Sequence, residues 1–70
     1  MLPLTLAEVG SSNIIRRVGG SPGVKKHLED MGFVVGSGVT VVNTIGGNVI
    51  VTVKDTRVAI SREMAQKIMI

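Results

Sequence analysis

The spacing of apolar residues changes period along the chain, and each period predicts a different element. Between Ser21 and Gly32, Val24, Leu28 and Met31 fall at i, i+4 and i+7, one narrow apolar stripe on a helix. Ser21 is suited to cap that helix and Pro22 to open it, because the first turn has no use for the missing N–H and the ring already fixes φ. Gly32 is the stop signal. From Val39 the period becomes two. Val39, Val41, Asn43 and Ile45 alternate with Thr40, Val42 and Thr44, and Val49, Val51 and Val53 alternate with Ile50, Thr52 and Lys54. Gly46-Gly47-Asn48 between the runs predicts a hairpin turn. A second turn at Asp55-Thr56 leads into a strand from Arg57 to Ile60, with Val58 and Ile60 on one face.

The flanks are patterned more weakly. Leu2, Leu4 and Leu6 fit a single helical turn capped by Thr5 and running from Leu6 to Val9. Gly10-Ser11-Ser12-Asn13 has turn chemistry, and Ile14 to Val18 predicts a strand whose broken alternation a bulge would explain. Gly19 and Gly20 end it. Ser61 can cap a closing turn with Met64, Ala65 and Ile68 on one face, after which Met69-Ile70 return to the sheet. The expected architecture is mainly β, with about five short antiparallel strands, one central helix and short helical turns in a single domain over residues 1–70. So small a sheet hides its edges most simply by curling, which predicts an SH3-like barrel.

Composition narrows how such a fold can be held. A chain of 70 residues buries only ~60% of the surface its unfolded form exposes. With no cysteine and a single aromatic residue, Phe33, the interior has to be built from Val, Ile, Leu and Met. Neither a disulfide framework nor a thiolate metal site is available, which suits a reducing cytoplasm. The opening MLPLTLAEVG has no basic leader and is interrupted by Glu8, so it does not read as a signal peptide. At the helix end, Gly32 occupies the position where a left-handed residue closes a helix, and Phe33 the position that packs back on Leu28. Gly36 and Gly38 are expected to bend the chain into the hairpin, laying the helix over the open end of the barrel.

These residues carry a resemblance. Leu28-x-x-Met31-Gly32-Phe33-x-x-Gly36-x-x-Val39-x-Val41 resembles the signature of FeoA-like domains, small cytoplasmic proteins of bacterial ferrous iron uptake. The likeness extends to Leu4-x-x-x-Glu8, the Gly-Gly before the helix, Val58-Ala59-Ile60, and the closing Ala65-x-x-Ile68 with Ile70. Val35 stands where that family usually has proline, and Gly38 where a larger polar residue is common, so a looser turn is expected. The resemblance implies a non-enzymatic accessory protein without a cofactor, contacting the cytoplasmic GTP-binding part of the ferrous iron permease FeoB. It also implies a likeness to the SH3-like module at the C-terminus of DtxR-type repressors, an alternative regulatory role.

Candidate chemistry is sparse. Gly19-Gly20-Ser21-Pro22-Gly23-Val24-Lys25-Lys26 precedes a helix as a phosphate loop does, but it has Lys26 where Ser or Thr would hold magnesium, and helix capping accounts for it. His27 is the only histidine, and Glu29 and Asp30 do not converge with it as ferrous iron ligands would, so it is assigned to the surface and no metal site is expected from the sequence. Met31 belongs to the core stripe, and Met64 and Met69 are read as gap-filling residues. The helix charges stand out. Lys25 and Lys26 lie near the positive end of the helix dipole, and Glu29 and Asp30 near the negative end, at a cost of about 0.3 to 1 kcal/mol per misplaced charge at low salt. The i,i+4 pairs Lys25–Glu29 and Lys26–Asp30 recover part of this in the less favourable order. A local rule broken in this way marks Lys25, Lys26, Glu29 and Asp30 as a candidate partner-facing patch, set against a merely solvated face.

The net charge of +3 and the basic residues Arg16, Arg17, Lys54, Arg57, Arg62 and Lys67 raise nucleic acid as a competing partner. A chain without Tyr or Trp lacks the stacking platforms that single-strand binders use, which disfavours it. Strand pairing through Val49–Val53 or the Ile70 end is a route to a homo-oligomer.

Overall fold

A computed structural model describes residues 1–70. A 3-10 turn, Leu4–Leu6, is followed by β1 (Ser12–Ile14), β2 (Arg17–Val18), α1 (Pro22–Asp30), β3 (Gly38–Ile45), β4 (Asn48–Val53), β5 (Thr56–Ser61), α2 (Arg62–Ala65) and β6 (Ile68–Met69). Strands β1, β3, β4 and β5 form one antiparallel sheet in the order β1-β3-β4-β5, and β2 pairs with β6 in a second. The small mainly-β architecture with one main helix is as expected. The opening turn begins at Leu4, after Pro3, rather than at Leu6 after Thr5.

The segment from Ile14 to Val18 is not one bulged strand. The chain leaves the first sheet after Ile14 and enters the second at Arg17, turning a corner at Ile15 and Arg16. Ile15 is fully buried there, and its main chain is held by Ile15 N–H to the Ser37 carbonyl at 2.9 Å and by Gly36 N–H to the Ile15 carbonyl at 2.8 Å. The broken alternation therefore reflects a change of sheet. The bulge lies instead in β3: Val41 faces Val51 and Asn43 faces Ile50, leaving Val42 extra. This shift inverts the faces beyond it, so Ile45 projects into solvent rather than continuing the row of Val39 and Val41.

Both hairpins have two-residue loops. Gly46 has φ +59° at the first loop, which joins Ile45 to Asn48. The second is Lys54-Asp55, one residue earlier than Asp55-Thr56, and both residues take positive φ, +50° and +61°. Such turns match the twist of the strands, but they are normally built from Gly, Asn or Asp, so Lys54 is an unusual occupant. With Thr56 freed from the turn, β5 runs from Thr56 to Ser61.

Thirteen buried apolar residues form one cluster, and no polar side chain is buried among them. Val39, Val41, Val49, Val51, Val53 and Ile60 contribute from the large sheet, Val18 and Ile68 from the small one. Helix α1 meets this core through Leu28 alone, while Val24 and Met31 are half-buried at its margin. The stripe is thus narrower in effect than its spacing suggests. Its end is closed as expected: Phe33 N–H donates to the Leu28 carbonyl and Gly32 N–H to the Glu29 carbonyl, each at 3.0 Å, with Gly32 at φ +105°. These are the paired bonds of a Schellman cap, and Leu28 and Phe33 are both fully buried. Gly36 bends the chain at φ +93°, whereas Gly38 is already a strand residue paired with Ile14.

Ser21 and Ser61 cap the two helices, accepting from Val24 N–H at 3.4 Å and from Met64 N–H at 3.2 Å. Ile68 belongs to β6 and not to the closing helical turn. Leu2 and Ile70 exchange main-chain hydrogen bonds of 2.9 and 2.8 Å, so Ile70 is already paired.

Gly32→Ala is expected to destabilise the fold by about 1 kcal/mol or more, because the left-handed position excludes a Cβ whatever the space. Gly23→Ala, inside α1 with nothing near a new Cβ, is expected to stabilise it by about 0.4 to 1 kcal/mol. Urea unfolding of the two variants beside the wild type checks both signs.

Candidate functional site

Two shallow grooves mark the surface. One, of about 270 Å³, lies between the Leu4 turn and the β3–β4 loop and is bordered by Leu4, Val9, Thr44, Asn48 and Arg62. It contains one charged side chain and no titratable cluster. The other, of about 380 Å³, lies between β2 and α1 and gathers Arg16, Arg17, Lys25 and Glu29 with Gly20 and Val35 on its wall. The two arginines come from the sheet-switching corner and from β2, and Lys25 and Glu29 from one face of α1.

Gly20 makes the close approach possible. It has φ +99°, and a Cβ there would come within 2.9 Å of Lys67 Cδ and 3.2 Å of Val24 Cγ1. The left-handed backbone is what calls for glycine here, and a Cβ would also crowd Val24 of the helix, whereas the flexible Lys67 side chain just before β6 could give way. The preceding Gly19 N–H donates to the Lys67 carbonyl at 2.7 Å, which fixes where α1 starts.

The structure divides the four charges singled out from the sequence. All four are exposed. Lys25 and Glu29 line the groove beside Arg16 and Arg17, whereas Lys26 and Asp30, one position further round the helix, do not. The arginines were absent from the expected patch because they lie nine and eight residues before Lys25 in the chain, and only the β2–β6 pairing brings them alongside α1. Sequence offered one signal for them, the adjacent Arg16-Arg17 in an otherwise apolar strand.

Electrostatically the groove holds three cations against one carboxylate. None of the side-chain hydrogen bonds in the molecule engages any of these groups. Their charge is presented to solvent. Val35, 66% exposed, adds an apolar contact at the rim. Leu28, Met31, Gly32, Phe33 and Gly36 lie at the helix end and the bend after it, where Leu28 and Phe33 are fully buried. His27 is exposed, and no three His, Asp or Glu side chains come together at a point where a metal ion can be held. No helix is long and apolar enough to cross a membrane.

Against known proteins, the FeoA domain matches residues 2–70. The chain belongs to the FeoA family. It is 34% identical over 70 residues to a Methanocaldococcus jannaschii protein with the provisional name Fe(2+) transport protein A, covering all of this chain and 85% of that one. The FeoA crystal structure described as an iron uptake regulatory protein superposes with a TM-score of 0.88 at 26% identity, covering 97% of this chain and 90% of the other. Stenotrophomonas maltophilia FeoA, solved with zinc and described as an SH3-domain protein and a candidate activating factor for ferrous iron transport, superposes with a TM-score of 0.85 at 23% identity, over 99% and 88% of the two chains. A manganese-dependent transcriptional repressor shares the fold alone, with a TM-score of 0.85 at 19% identity, over 94% of this chain but 38% of that one. The FeoA fold here is thus SH3-like, and the family associates the chain with ferrous iron transport.

Exchanging the two groove charges of the helix, Lys25→Glu with Glu29→Lys, is expected to raise stability by about 0.3 to 1 kcal/mol per charge at low salt, since both then complement the dipole. The gain fades at high salt. Thermal unfolding at two ionic strengths measures it.

Proposed function

We propose that this chain is a non-enzymatic accessory protein of ferrous iron uptake, working in the cytoplasm by docking on the GTP-binding part of a FeoB-type permease. The observation that carries this reading is the groove of Arg16, Arg17, Lys25 and Glu29 in a chain of the FeoA family. Charges arranged against the helix dipole and left without internal partners lower the stability of the free protein, and a partner with complementary charge recovers that loss. The surface suits an acidic segment that also offers a carboxylate-binding cation to Glu29 and an apolar side chain to Val35. Lys26 and Asp30 extend the contact at its margin.

The same cations suit a polyanion, which keeps nucleic acid as the second reading. It is disfavoured by Glu29 within the groove and by the absence of Tyr and Trp.

The test is a pull-down from cytoplasm and solubilised membranes with the tagged full chain. Recovery of a GTP-binding iron permease is the expected result. Arg16→Glu with Arg17→Glu is expected to weaken that binding by about tenfold or more, equivalent to about 1.4 kcal/mol, while Lys26→Glu has a smaller effect. Recovery of nuclease-sensitive nucleic acid in its place, with affinity falling steeply as salt rises, overturns the reading.

A further inference from the structure

Strand β5 carries the one long unpaired edge of the large sheet. In the order β1-β3-β4-β5 it is terminal, and no main-chain hydrogen bond other than those to β4 involves Arg57, Val58, Ala59 or Ile60. Strand β4 is paired on both sides, so Val49–Val53, expected from the sequence to be an edge, is not one. The other edges are guarded. β1 is three residues long and β2 two. On β3, Thr44 N–H is occupied by its neighbour's Asn43 Oδ1 at 2.8 Å. Strand β5 has six residues, no proline, and an unbroken register with β4 from Thr56 to Ser61. These are the features that sheet edges normally avoid.

The hairpin fixes which groups point outward. Val53 and Thr56 flank the two-residue loop, so Thr56 N–H turns toward β4, and Val58 and Ile60 follow it by alternation. The N–H and C=O groups of Arg57 and Ala59, and the N–H of Ser61, therefore face away from the sheet. All three residues are exposed. A second β5 running antiparallel about a two-fold axis at Ala59 meets this edge with its own complement. Ala59 exchanges hydrogen bonds with its copy, Val58 faces Ile60 on the inner side, and Arg57 faces Ser61 on the outer side. Only a methyl group stands at the axis, and the two Arg57 side chains lie on opposite sides of it. The register centred on Val58 is poorer, since it sets Thr56 against Ile60.

We infer that this protein self-associates through β5, joining two four-stranded sheets into one across a two-fold axis at Ala59. A contact of one strand per protomer lies below the roughly 1,200 Å² of a stable interface, so the dimer is weak and concentration-dependent. Each copy carries +3, so self-association strengthens as salt rises, the opposite of what an anion bound in the basic groove would show. The inference stands independently of docking on a permease.

Sedimentation velocity of the full chain from micromolar to millimolar concentration is expected to show a shift from monomer to dimer that grows with ionic strength. The chain has no cysteine, so Ala59→Cys gives a single thiol. Paired Cα atoms about 5.5 Å apart lie within disulfide range, and oxidation is expected to link the dimer covalently faster than the exposed β1 variant Ser12→Cys does. Ala59→Pro removes a donor that β4 does not use and is expected to stay monomeric while folded. Should that variant unfold, amide exchange of Arg57 and Ala59 in the wild type decides, with protection expected to rise with protein concentration. A wild type that is monomeric throughout, equal cross-linking of the two cysteine variants, or protection of these amides only when another protein is added overturns the inference.

Discussion

Two main-chain hydrogen bonds at the end of α1 hold the helix in place on the sheets. The helix presents a single fully buried side chain, Leu28, and nine residues are too few to be stable alone in water. The bonds from Gly32 and Phe33 back to Glu29 and Leu28 turn the chain so that Phe33, the largest buried side chain, packs at the same end of the core. Helix placement and core completion are therefore one event. A left-handed residue at position 32 is the condition for both, since without it Phe33 is not returned to the core.

Because Leu28 alone carries α1 into the core, its outer faces are left to serve a surface. Lys25 and Glu29 line the groove beside β2, and the Gly19-Gly20 loop brings the helix start against Lys67, just before β6. The charge order on this helix is unfavourable for its dipole, and the core takes no benefit from it. In a molecule without buried polar side chains, the electrostatic cost falls on exposed residues of α1, of which Lys25 and Glu29 line the groove and Lys26 and Asp30 lie beside it. The physical division is simple: apolar residues of the two sheets set stability, and cations on α1 and the β2 corner set the character of the surface.

Most of the local structure was legible in the chain. Ser21, Pro22 and Gly32 bounded α1 correctly, and the alternating valines located β3 and β4, because caps and periodicity act within a few residues. What escaped depends on distant partners. The broken pattern at Ile15 looked like a bulge, yet it records a passage from β3 to β6 as neighbour, about which nearby residues say nothing. The real bulge, at Val42, is hidden in a run that alternates without interruption, since an extra valine looks like any other. Lys54 in a left-handed turn contradicts residue preference and is imposed by the register of β4 and β5. For the candidate site, the helix half was visible and the arginine half was not, for the same reason.

The solitary ring of Phe33 has a spectroscopic consequence. With no Tyr or Trp in the chain and the His27 imidazole exposed on the outside of α1, ring-current displacement of the core methyls originates from one point, and that point is the closure of α1. Upfield methyl resonances then act as a gauge of whether the helix is seated, readable during titration with any ligand and without a label.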